Sequence, residues 1–397
     1  MPEALKLDAL IIGGGVAGLW LLNRLRNEGY QTWLLEQDAL GTGQSIASQG
    51  MIHGGIKYAL GGKLTGASKA IADMPSHWQS CLEGKGDVDL RGCQLMSDSY
   101  YMWPQSSLRS RLNAFLGSKT LEAKVDNVSK NDYPDFFSNN IPGPLYQLRD
   151  IVLDVPSLLS TLRDNHEDSI YKINWEQAAL EKNADGSIRA LKLSSGQEIQ
   201  ARKYIFCCGA GAEAIIRDQD FSFTTMQRRP LRMVMVRHDI TDPVYVHCIS
   251  DKLTMTPEVT ITSHQNGSGD PVWYLGGELA EKGAQQSESE LIDTARKKLT
   301  AMFPWCDFSG AKWATLAIDR AEEQQPDGSR PDDPGIAARH NILMCWPTKL
   351  TLSPNLANTV LDIMKAADIT PGNCTPPPGP VTFLDKPGIA STPWEGL

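Results

Sequence analysis

The 397-residue sequence lacks the features that mark several large classes of protein. It has no apolar run near the ~18 residues that a membrane-spanning helix needs. Its first residues do not pair a basic stretch with an apolar one, as a secretory signal does. Its 8 cysteines form no Cys-x-x-Cys pair and its 7 histidines do not lie beside them at metal-ligand spacing. We therefore expect a cytoplasmic protein with reduced thiols, no transmembrane segment and no metal site.

Positive charge is also scarce. The sequence has 38 Lys and Arg against 47 Asp and Glu, a formal net charge of −9. Nucleic-acid binders normally carry a clustered basic surface, so this balance argues against a nucleic-acid partner. It leaves room for a local basic pocket that binds a small anion, because net charge describes no single cleft. The length predicts two domains, or an α/β body with a second lobe.

A nucleotide-binding pattern begins near the N-terminus. The apolar run Ala9–Ile12 predicts a buried parallel strand, and it leads directly into the G-x-G-x-x-G motif of Gly13–Gly18. Apolar residues at helical spacing follow from Val16 to Leu25, and Thr32–Leu35 predicts a second strand that ends at Glu36. A glycine-rich turn in another kind of α/β protein remains the alternative, but the order strand, helix, strand and acid favours a dinucleotide site.

Each residue of this pattern has a distinct role. Gly13 permits the tight turn, Gly15 lets a pyrophosphate approach the backbone, and Gly18 lets helix and strand pack closely. The pyrophosphate is expected on the free N–H groups at the start of the helix. Glu36, 18 positions after Gly18, is expected to accept hydrogen bonds from a ribose diol and to repel a 2′-phosphate.

Two further segments distinguish FAD from NAD. Gly41–Tyr58 and Lys203–Ala212 resemble the D-amino-acid oxidase/glycine oxidase superfamily of FAD-dependent oxidoreductases. Within it, Ile52–Tyr58 (IHGGIKY) and Thr348–Leu352 (TKLTL) are similar to elements of FAD-dependent glycerol-3-phosphate dehydrogenases. The resemblance implies FAD held without a covalent bond, although Cys345 and His53 are the nearest candidates for attachment.

The motif and the resemblance together give a set of cofactor-binding residues. It consists of Gly13, Gly15, Val16, Ala17, Gly18, Glu36, Gln37, Ser45, Ser48, Gln49, Gly50, Met51, Gln177, Cys208, Gly209, Gly211, Lys349, Leu350 and Thr351. In the family, the segment after the acid lines the ribityl chain and one flavin face, and Gln177 falls where backbone groups meet adenine.

The candidate catalytic residues are His53, Arg320 and Lys349. His53 would accept a proton from an alcohol substrate, or it is a structural histidine bonded to backbone. Arg320, which begins a pattern resembling the family's R…D-G-x-P, would bind a carboxylate or phosphate, or form a salt bridge. Lys349 would neutralise charge on the reduced flavin, or backbone N–H groups of residues 349–351 do so. Tyr274, Arg232 and His247 are further candidates on the substrate side.

The predicted function is transfer of a hydride from a small anionic substrate to flavin N5. The substrate is an amine or amino acid (CH–NH donor) or a hydroxy acid or sugar phosphate (CH–OH donor), and the electron acceptor is oxygen or a quinone-linked chain. The alternative is a flavoprotein that acts on a macromolecule, such as a tRNA-modifying enzyme, against which the acidic balance counts.

The predicted fold class is α/β (α+β overall), a Rossmann-like FAD-binding domain with a discontinuous antiparallel-sheet substrate domain. We expect the FAD-binding domain to comprise residues 1–84, 151–225 and 311–369, and the substrate domain residues 85–150 and 226–310. Residues 370–397 are expected to form a Pro-rich tail, extended or held by Pro380, Phe383 and Trp394 to the body or to a neighbouring subunit.

Overall fold

The computed structural model describes residues 4–54, 71–104, 125–137, 141–249, 256–372 and 383–397. Gly55–Tyr58 of the IHGGIKY element and the run Pro376–Pro378 lie outside these residues, as does Pro380. Among the residues described, no helix is both long enough and apolar enough to span a bilayer.

A mixed sheet with a parallel centre forms the first layer. Strand β1 lies between β2 and β12 and is parallel to both, which explains the continuous apolar run Ala9–Ile12 in its second half. The path runs β10-β11-β12-β1-β2-β9, with β19 paired to β12 and β18 to β19. Its strands are β1 (Leu5–Ile12), β2 (Thr32–Glu36), β9 (Ile170–Lys172), β10 (Ala178–Lys182), β11 (Ile188–Leu193), β12 (Glu198–Phe206), β18 (Gly335–Arg339) and β19 (Ile342–Trp346). The predicted α/β class is confirmed.

Three of the helices pack together against the first sheet, and two others contact strands of the second sheet. The helices are α1 (Val16–Asn27), α2 (Met74–Leu82), α3 (Val155–Asp164), α4 (Ala212–Asp218), α5 (Glu278–Gly283), α6 (Glu288–Met302) and α7 (Ser353–Ala366). The Asp154 carboxylate accepts a hydrogen bond from Ser157 N and so caps α3 as its sequence predicts. Leu158, Leu159 and Leu162 of α3 are buried in the core that α1 and α7 share.

A second sheet carries the other large core. Its order is β17-β13-β16-β15-β14-β5-β7-β6, antiparallel except for the parallel pair β5–β14. The strands are β5 (Tyr100–Pro104), β6 (Val125–Asn127), β7 (Tyr146–Leu148), β13 (Met226–Arg237), β14 (Val246–Ile249), β15 (Val259–Gln265), β16 (Pro271–Gly276) and β17 (Lys312–Glu323). A small sheet, β3-β8-β4, combines β3 (Met51–Ile52), β4 (Leu95–Ser97) and β8 (Ile151–Leu153).

The pairing of β17 bears on one expected domain boundary. Residues 311–369 were expected to belong to the FAD-binding domain, but β17 pairs with β13 in continuous register from Met226–Glu323 to Arg237–Lys312. A strand hydrogen-bonded along its full length belongs to the sheet of its partner. We therefore propose that the third segment of the FAD-binding domain begins after β17, near β18.

The described part of the tail is held against the body. Trp394 is buried, Ile389 forms a parallel bridge with Leu40, and Phe383 is exposed. Asn266 Nδ2 donates to the carbonyl of Leu397 at 2.7 Å. Of the three residues expected to attach the tail, Trp394 does so and Phe383 does not.

Candidate active site

A cavity of about 1180 Å³ lies between the first sheet and the second. The carboxyl ends of β1, β2 and β12 open into it through Ile12, Leu35, Glu36 and Phe206. This is where open α/β sheets bind their ligands. Strands β13, β16 and β17 and the start of α5 close the opposite side.

The glycine motif forms the turn that its spacing predicts. Gly13 has φ +112, and a Cβ on it would lie 2.5 Å from the carbonyl oxygen of Cys207. A Cβ on Gly18 would lie 2.0 Å from the carbonyl oxygen of Gly13, so only glycine allows this close packing. Gly15 is the N-cap of α1, whose first turn holds no acidic residue. Because Gly15, Val16 and Ala17 line the cavity, the positive end of the helix dipole faces it.

Glu36 lies at the end of β2 and lines the cavity. Its Oε2 accepts a hydrogen bond from Gly14 N at 2.6 Å, and its Oε1 accepts one from Asp38 N at 2.9 Å. A carboxylate has about four acceptor positions, so two are left for ribose hydroxyls. Gln37 and Asp38 also line this end.

The segment Gly41–Gly50, called the cofactor loop below, packs over the glycine turn. Gly41 N donates to the carbonyl of Gly14 at 2.9 Å, and Ser45 Oγ accepts from Val16 N at 3.0 Å. Ser45, Ser48 and Gln49 line the cavity, as does Met51 just beyond the loop. The loop therefore brings together the residues that the resemblance implies for the cofactor.

Two other turns complete the wall. After β12, the backbone turns at Cys208–Gly211, and these residues line the cavity. After β19, Thr348 has φ +64 and leads into a 3-10 turn at Leu350–Leu352 that precedes α7. Lys349 and Leu350 line the cavity, and Lys349 Nζ donates to the carbonyl of Asp332 at 3.4 Å.

Arg320 on β17 reaches the cavity with a half-buried side chain. Its Nη1 donates to Glu281 Oε1 at 3.1 Å, and its Nε donates to the carbonyl of Arg229 at 3.4 Å. Burial, and then the nearby charge of Arg229, lower the pKa of Arg320. Arginine ordinarily ionises above pH ~12, so the guanidinium stays cationic near neutrality. Anion binding and a salt bridge were alternatives for Arg320: the structure contains the salt bridge to Glu281, and binding of a substrate anion stays a prediction.

Several predicted residues do not line the cavity. His53 is buried just after β3, and its backbone N donates to Thr351 Oγ1 at 3.3 Å. Thr351 Oγ1 also donates to the carbonyl of Met51 at 3.5 Å, so this threonine joins β3 to the 3-10 turn. Gly18 and Gly50 act through close backbone packing, since a Cβ on Gly50 would lie 2.1 Å from the carbonyl oxygen of Leu153.

Gln177 also lies outside the lining of the cavity. Its carbonyl accepts a hydrogen bond from Ser194 N at 2.7 Å, so that group is engaged in the β10–β11 hairpin. Trp175, Ala178 and Ala179 line the cavity beside it. The role of Gln177 at adenine stays a prediction, and its neighbours in the same segment are the residues that line the cavity.

The substrate-side candidates and Cys345 are placed in packed layers. Tyr274 is buried and its hydroxyl donates to the carbonyl of Ala47 at 2.9 Å. His247 is buried with Nδ1 3.1 Å from Thr260 Oγ1, and neither it nor Arg232 lines the cavity. Cys345 is buried in the core of the first sheet, where its hydrogen bond with Cys207 and then burial raise the pKa of its thiol.

Sequence reasoning missed several polar residues that line the cavity, among them Gln44, Arg228, Glu281 and Asp319. Gln44 Oε1 accepts from Ala321 N at 3.1 Å and so ties the cofactor loop to β17. Arg228 bonds to Asp319 at 3.0 Å across the β13–β17 pair. No short motif contains these residues, and only the GTGQ segment around Gln44 carried a family signal.

Outside the cavity, His77, Cys81 and Asp87 place ligand-type atoms within 4.8 Å of one another. Arg24 Nε lies 3.3 Å from Asp87 Oδ2. The positive charge of this guanidinium opposes binding of a cation there. Within the cluster, His77 Nε2 lies 3.0 Å from Asp87 Oδ1.

Three features of the cavity fit FAD: its volume, its tight glycine turn and the charge of the groups that line it. Its volume exceeds the ~300–1,000 Å³ typical of sites for drug-sized ligands, as a dinucleotide requires. The cradle around Gly15 is tight, because an added Cβ would lie 3.0 Å from Ser45 Oγ. A helix N-terminus without acidic residues faces a carboxylate at the end of β2, which suits a pyrophosphate and a ribose respectively.

Comparison with known proteins agrees with this arrangement. A family model described as FAD dependent oxidoreductase matches residues 8–341. The chain is 42% identical over 397 residues to "Probable FAD-dependent oxidoreductase PA4991" of Pseudomonas aeruginosa, covering 100% of this chain and 99% of that protein. The crystal structure of the Pseudomonas protein superposes with a TM-score of 0.85 at 38% identity, covering 99% of each chain.

More distant structures share the fold. Glycine oxidase from Geobacillus kaustophilus has a TM-score of 0.65 at 15% identity, covering 94% of this chain and 100% of that one. L-alpha-glycerophosphate oxidase from Mycoplasma pneumoniae, solved with FAD bound, has a TM-score of 0.67 at 13% identity, covering 94% and 97%.

Proposed function

This chain belongs to the family of FAD-dependent oxidoreductases, and we propose that it oxidises a small carboxylate-bearing amine or amino acid whose carboxylate binds Arg320. The family membership confirms the resemblance found in the motifs. FAD, when bound, accepts the hydride that leaves the substrate carbon. The chain itself has to bind the substrate's anion, orient its C–H bond and exclude water.

The observation that carries the proposal is the half-buried guanidinium of Arg320 in the cavity wall. Apolar residues of β13 and β17 also line the cavity: Leu231, Met233, Ala317 and Ile318. An anion that enters therefore leaves water for a wall that is partly apolar and carries both signs of charge. An unpaired anion is costly there, and the planar fork of arginine can bind both carboxylate oxygens. Arg320 therefore supplies the recognition of negative charge.

The charge of Glu281 favours a carboxylate over a phosphate. Its Oε1 lies 3.1 Å from Arg320 Nη1, so any substrate anion on Arg320 is also close to a second negative charge. Repulsion rises with the charge of the substrate, which makes a phosphate dianion a poorer partner than a singly charged carboxylate. Glu281 therefore favours an amino acid or hydroxy acid over a sugar phosphate as the substrate.

The lining of the cavity favours a CH–NH donor. Oxidation of an alcohol requires a base for the hydroxyl proton, and histidine is the usual one. Within the described residues, no histidine lines the cavity; His53 is buried, and its backbone N donates to Thr351 Oγ1. An amine bound in its uncharged form needs no such base. Of the two more distant structures named above, glycine oxidase is the one whose name gives an amino acid as its substrate, as proposed here.

The test is anaerobic bleaching of the flavin near ~450 nm. Panels of amino acids, hydroxy acids and sugar phosphates are mixed with wild type, Arg320→Leu, Arg320→Lys and the exposed control Arg339→Leu. We expect amino acids to bleach the wild type, and we expect Arg320→Leu to lose about 2–5 kcal/mol of transition-state binding. Arg320→Lys recovers only part of this loss, because an ammonium lacks the fork. Bleaching by hydroxy acids alone, or unchanged kinetics in Arg320→Leu, contradicts the proposal.

A further inference from the structure

The segment of residues 383–397, called the C-terminal strap below, holds the start of the cofactor loop. Leu40, the residue before the loop, donates its N–H to the carbonyl of Gly388 at 2.7 Å. The carbonyl of Leu40 accepts from Ala390 N at 3.0 Å, and Leu40 pairs with Ile389 in a parallel bridge. The strap therefore adds a short backbone pairing directly before the glycine-rich loop.

Trp394 of the strap lies near the other end of the loop. Its ring is 3% exposed and stacks on His264, with centroids 4.1 Å apart and planes at 29°. The ring centroid of Tyr274 is 5.1 Å away. Burial lowers the pKa of His264 to about 3, so the stacked imidazole is neutral near physiological pH.

Each aromatic partner of Trp394 is connected to the cofactor loop. The Tyr274 hydroxyl donates to the carbonyl of Ala47 at 2.9 Å. His264 Nε2 lies 2.9 Å from Thr262 Oγ1, which accepts a hydrogen bond from Gln49 Nε2 at 3.3 Å. Gln49 Nε2 also donates to the carbonyl of Tyr274 at 2.9 Å. Ala47 and Gln49 both line the cavity.

We propose that Trp394 is a positioning residue for FAD, which acts by fixing the far half of the cofactor loop through Tyr274 and His264. Five of the loop's ten residues are Gly or Ser, at positions 41, 43, 45, 48 and 50, and such a segment has many conformations when it is not held. A loop that is ordered before binding loses less conformational entropy on binding. The strap thus increases FAD affinity without touching the cavity, since no described strap residue lines it.

The experiment measures FAD affinity of deflavinated protein by quenching of FAD fluorescence. Trp394→Ala is compared with Trp394→Phe and with Trp305→Ala, a partly buried tryptophan that packs on Phe136 and Phe303 in the second-sheet core. We expect Trp394→Ala to raise the Kd for FAD at least about tenfold, and Trp305→Ala to leave it within about threefold of wild type at a similar loss of unfolding midpoint. Trp394→Phe should restore most of the affinity, because a smaller ring still stacks.

A second variant keeps the test decisive if Trp394→Ala does not fold. Tyr274→Phe removes only the hydroxyl that bonds Ala47, and we expect the Kd for FAD to rise about three- to tenfold. The visible spectrum of the bound flavin should broaden in both variants, which a loss of global stability alone does not cause. Unchanged Kd and spectrum in either folded variant overturns the proposal. Because no substrate is used, the result is independent of whether Arg320 binds the substrate.

Discussion

Arg320 Nη1 and Glu281 Oε1 lie 3.1 Å apart, and both residues line the cavity. Arg320 lies on β17 and Glu281 on α5, so the pair joins the sheet to the helix that follows β16. Arg320, the residue proposed to bind the substrate anion, is thus already paired with an anion of the chain itself. A substrate carboxylate that binds Arg320 has to share it with Glu281 or displace Glu281. The contact therefore lowers the affinity for such a substrate.

Glu281→Gln is expected to strengthen substrate binding. The change removes the competing negative charge and keeps the shape of the side chain. We expect the KM for a carboxylate substrate to fall by up to about fivefold, the range of a partly exposed ion pair of about 0.2–1 kcal/mol. Stopped-flow flavin reduction measures it. Glu278→Gln, on the same helix but paired with Lys282, is the matched control. A higher KM in Glu281→Gln would mean that Glu281 binds the substrate rather than competing with it.

Gly15→Val is expected to abolish FAD binding. A side chain at this N-cap lies against Ser45 Oγ and fills the space in front of the α1 N-terminus. The Kd for FAD should rise more than about a hundredfold, which corresponds to about 2.8 kcal/mol. The flavin-to-protein absorbance ratio after purification measures the loss, and Gly310→Val, at a glycine with open space around it, is the control. Stoichiometric FAD in Gly15→Val would place the cofactor elsewhere.

FAD is expected to leave the protein on acid precipitation. Covalent attachment requires a Cys or His side chain at the flavin ring. Cys345 is buried in the core, and His53 does not line the cavity. The two described cysteines that do, Cys207 and Cys208, directly follow β12 next to Gly13. The supernatant should therefore be yellow after trichloroacetic acid treatment and the pellet colourless. Flavin retained in the pellet after unfolding would contradict a non-covalent site.

His77 is expected to make stability fall at alkaline pH. Its Nε2 lies 3.0 Å from Asp87 Oδ1, and the hydrogen bond to Asp87, followed by one to Cys81, raises the pKa of His77 to about 10. A folded pKa above the ordinary ~6.5 means that the stabilisation is complete below pH ~6.5. It is lost as the pH rises through about 10.

Urea unfolding between pH ~6 and ~10 tests this dependence. The free energy of unfolding of wild type should decline across the window, and His77→Gln should flatten the decline. His166→Gln is the control, because burial lowers the pKa of His166, and a histidine with a lowered pKa causes no loss of stability as the pH rises. An equal decline in wild type and His77→Gln would show that other groups cause it.

Local patterns in the sequence were sufficient for the elements that they span. The strand, glycine turn, helix and second strand ending at Glu36 occur near the N-terminus as predicted. In each case the residues that decide the structure lie within one or two turns or strands of one another. Steric limits on φ and ψ, capping and apolar periodicity act over that range.

Only the tertiary structure decided which residues form the wall of the cavity on the side of the second sheet. Strand β17 joins the second sheet through its register with β13, which places Arg320 beside Arg229 and near Glu281. The backbone of Ala321 bonds to Gln44, 277 residues earlier, and Trp394 reaches the layer that holds the cofactor loop. Such contacts depend on strand pairing and on the packing of segments far apart in the chain. Local propensity does not encode them, because the free energy that selects them comes from burying whole elements against one another.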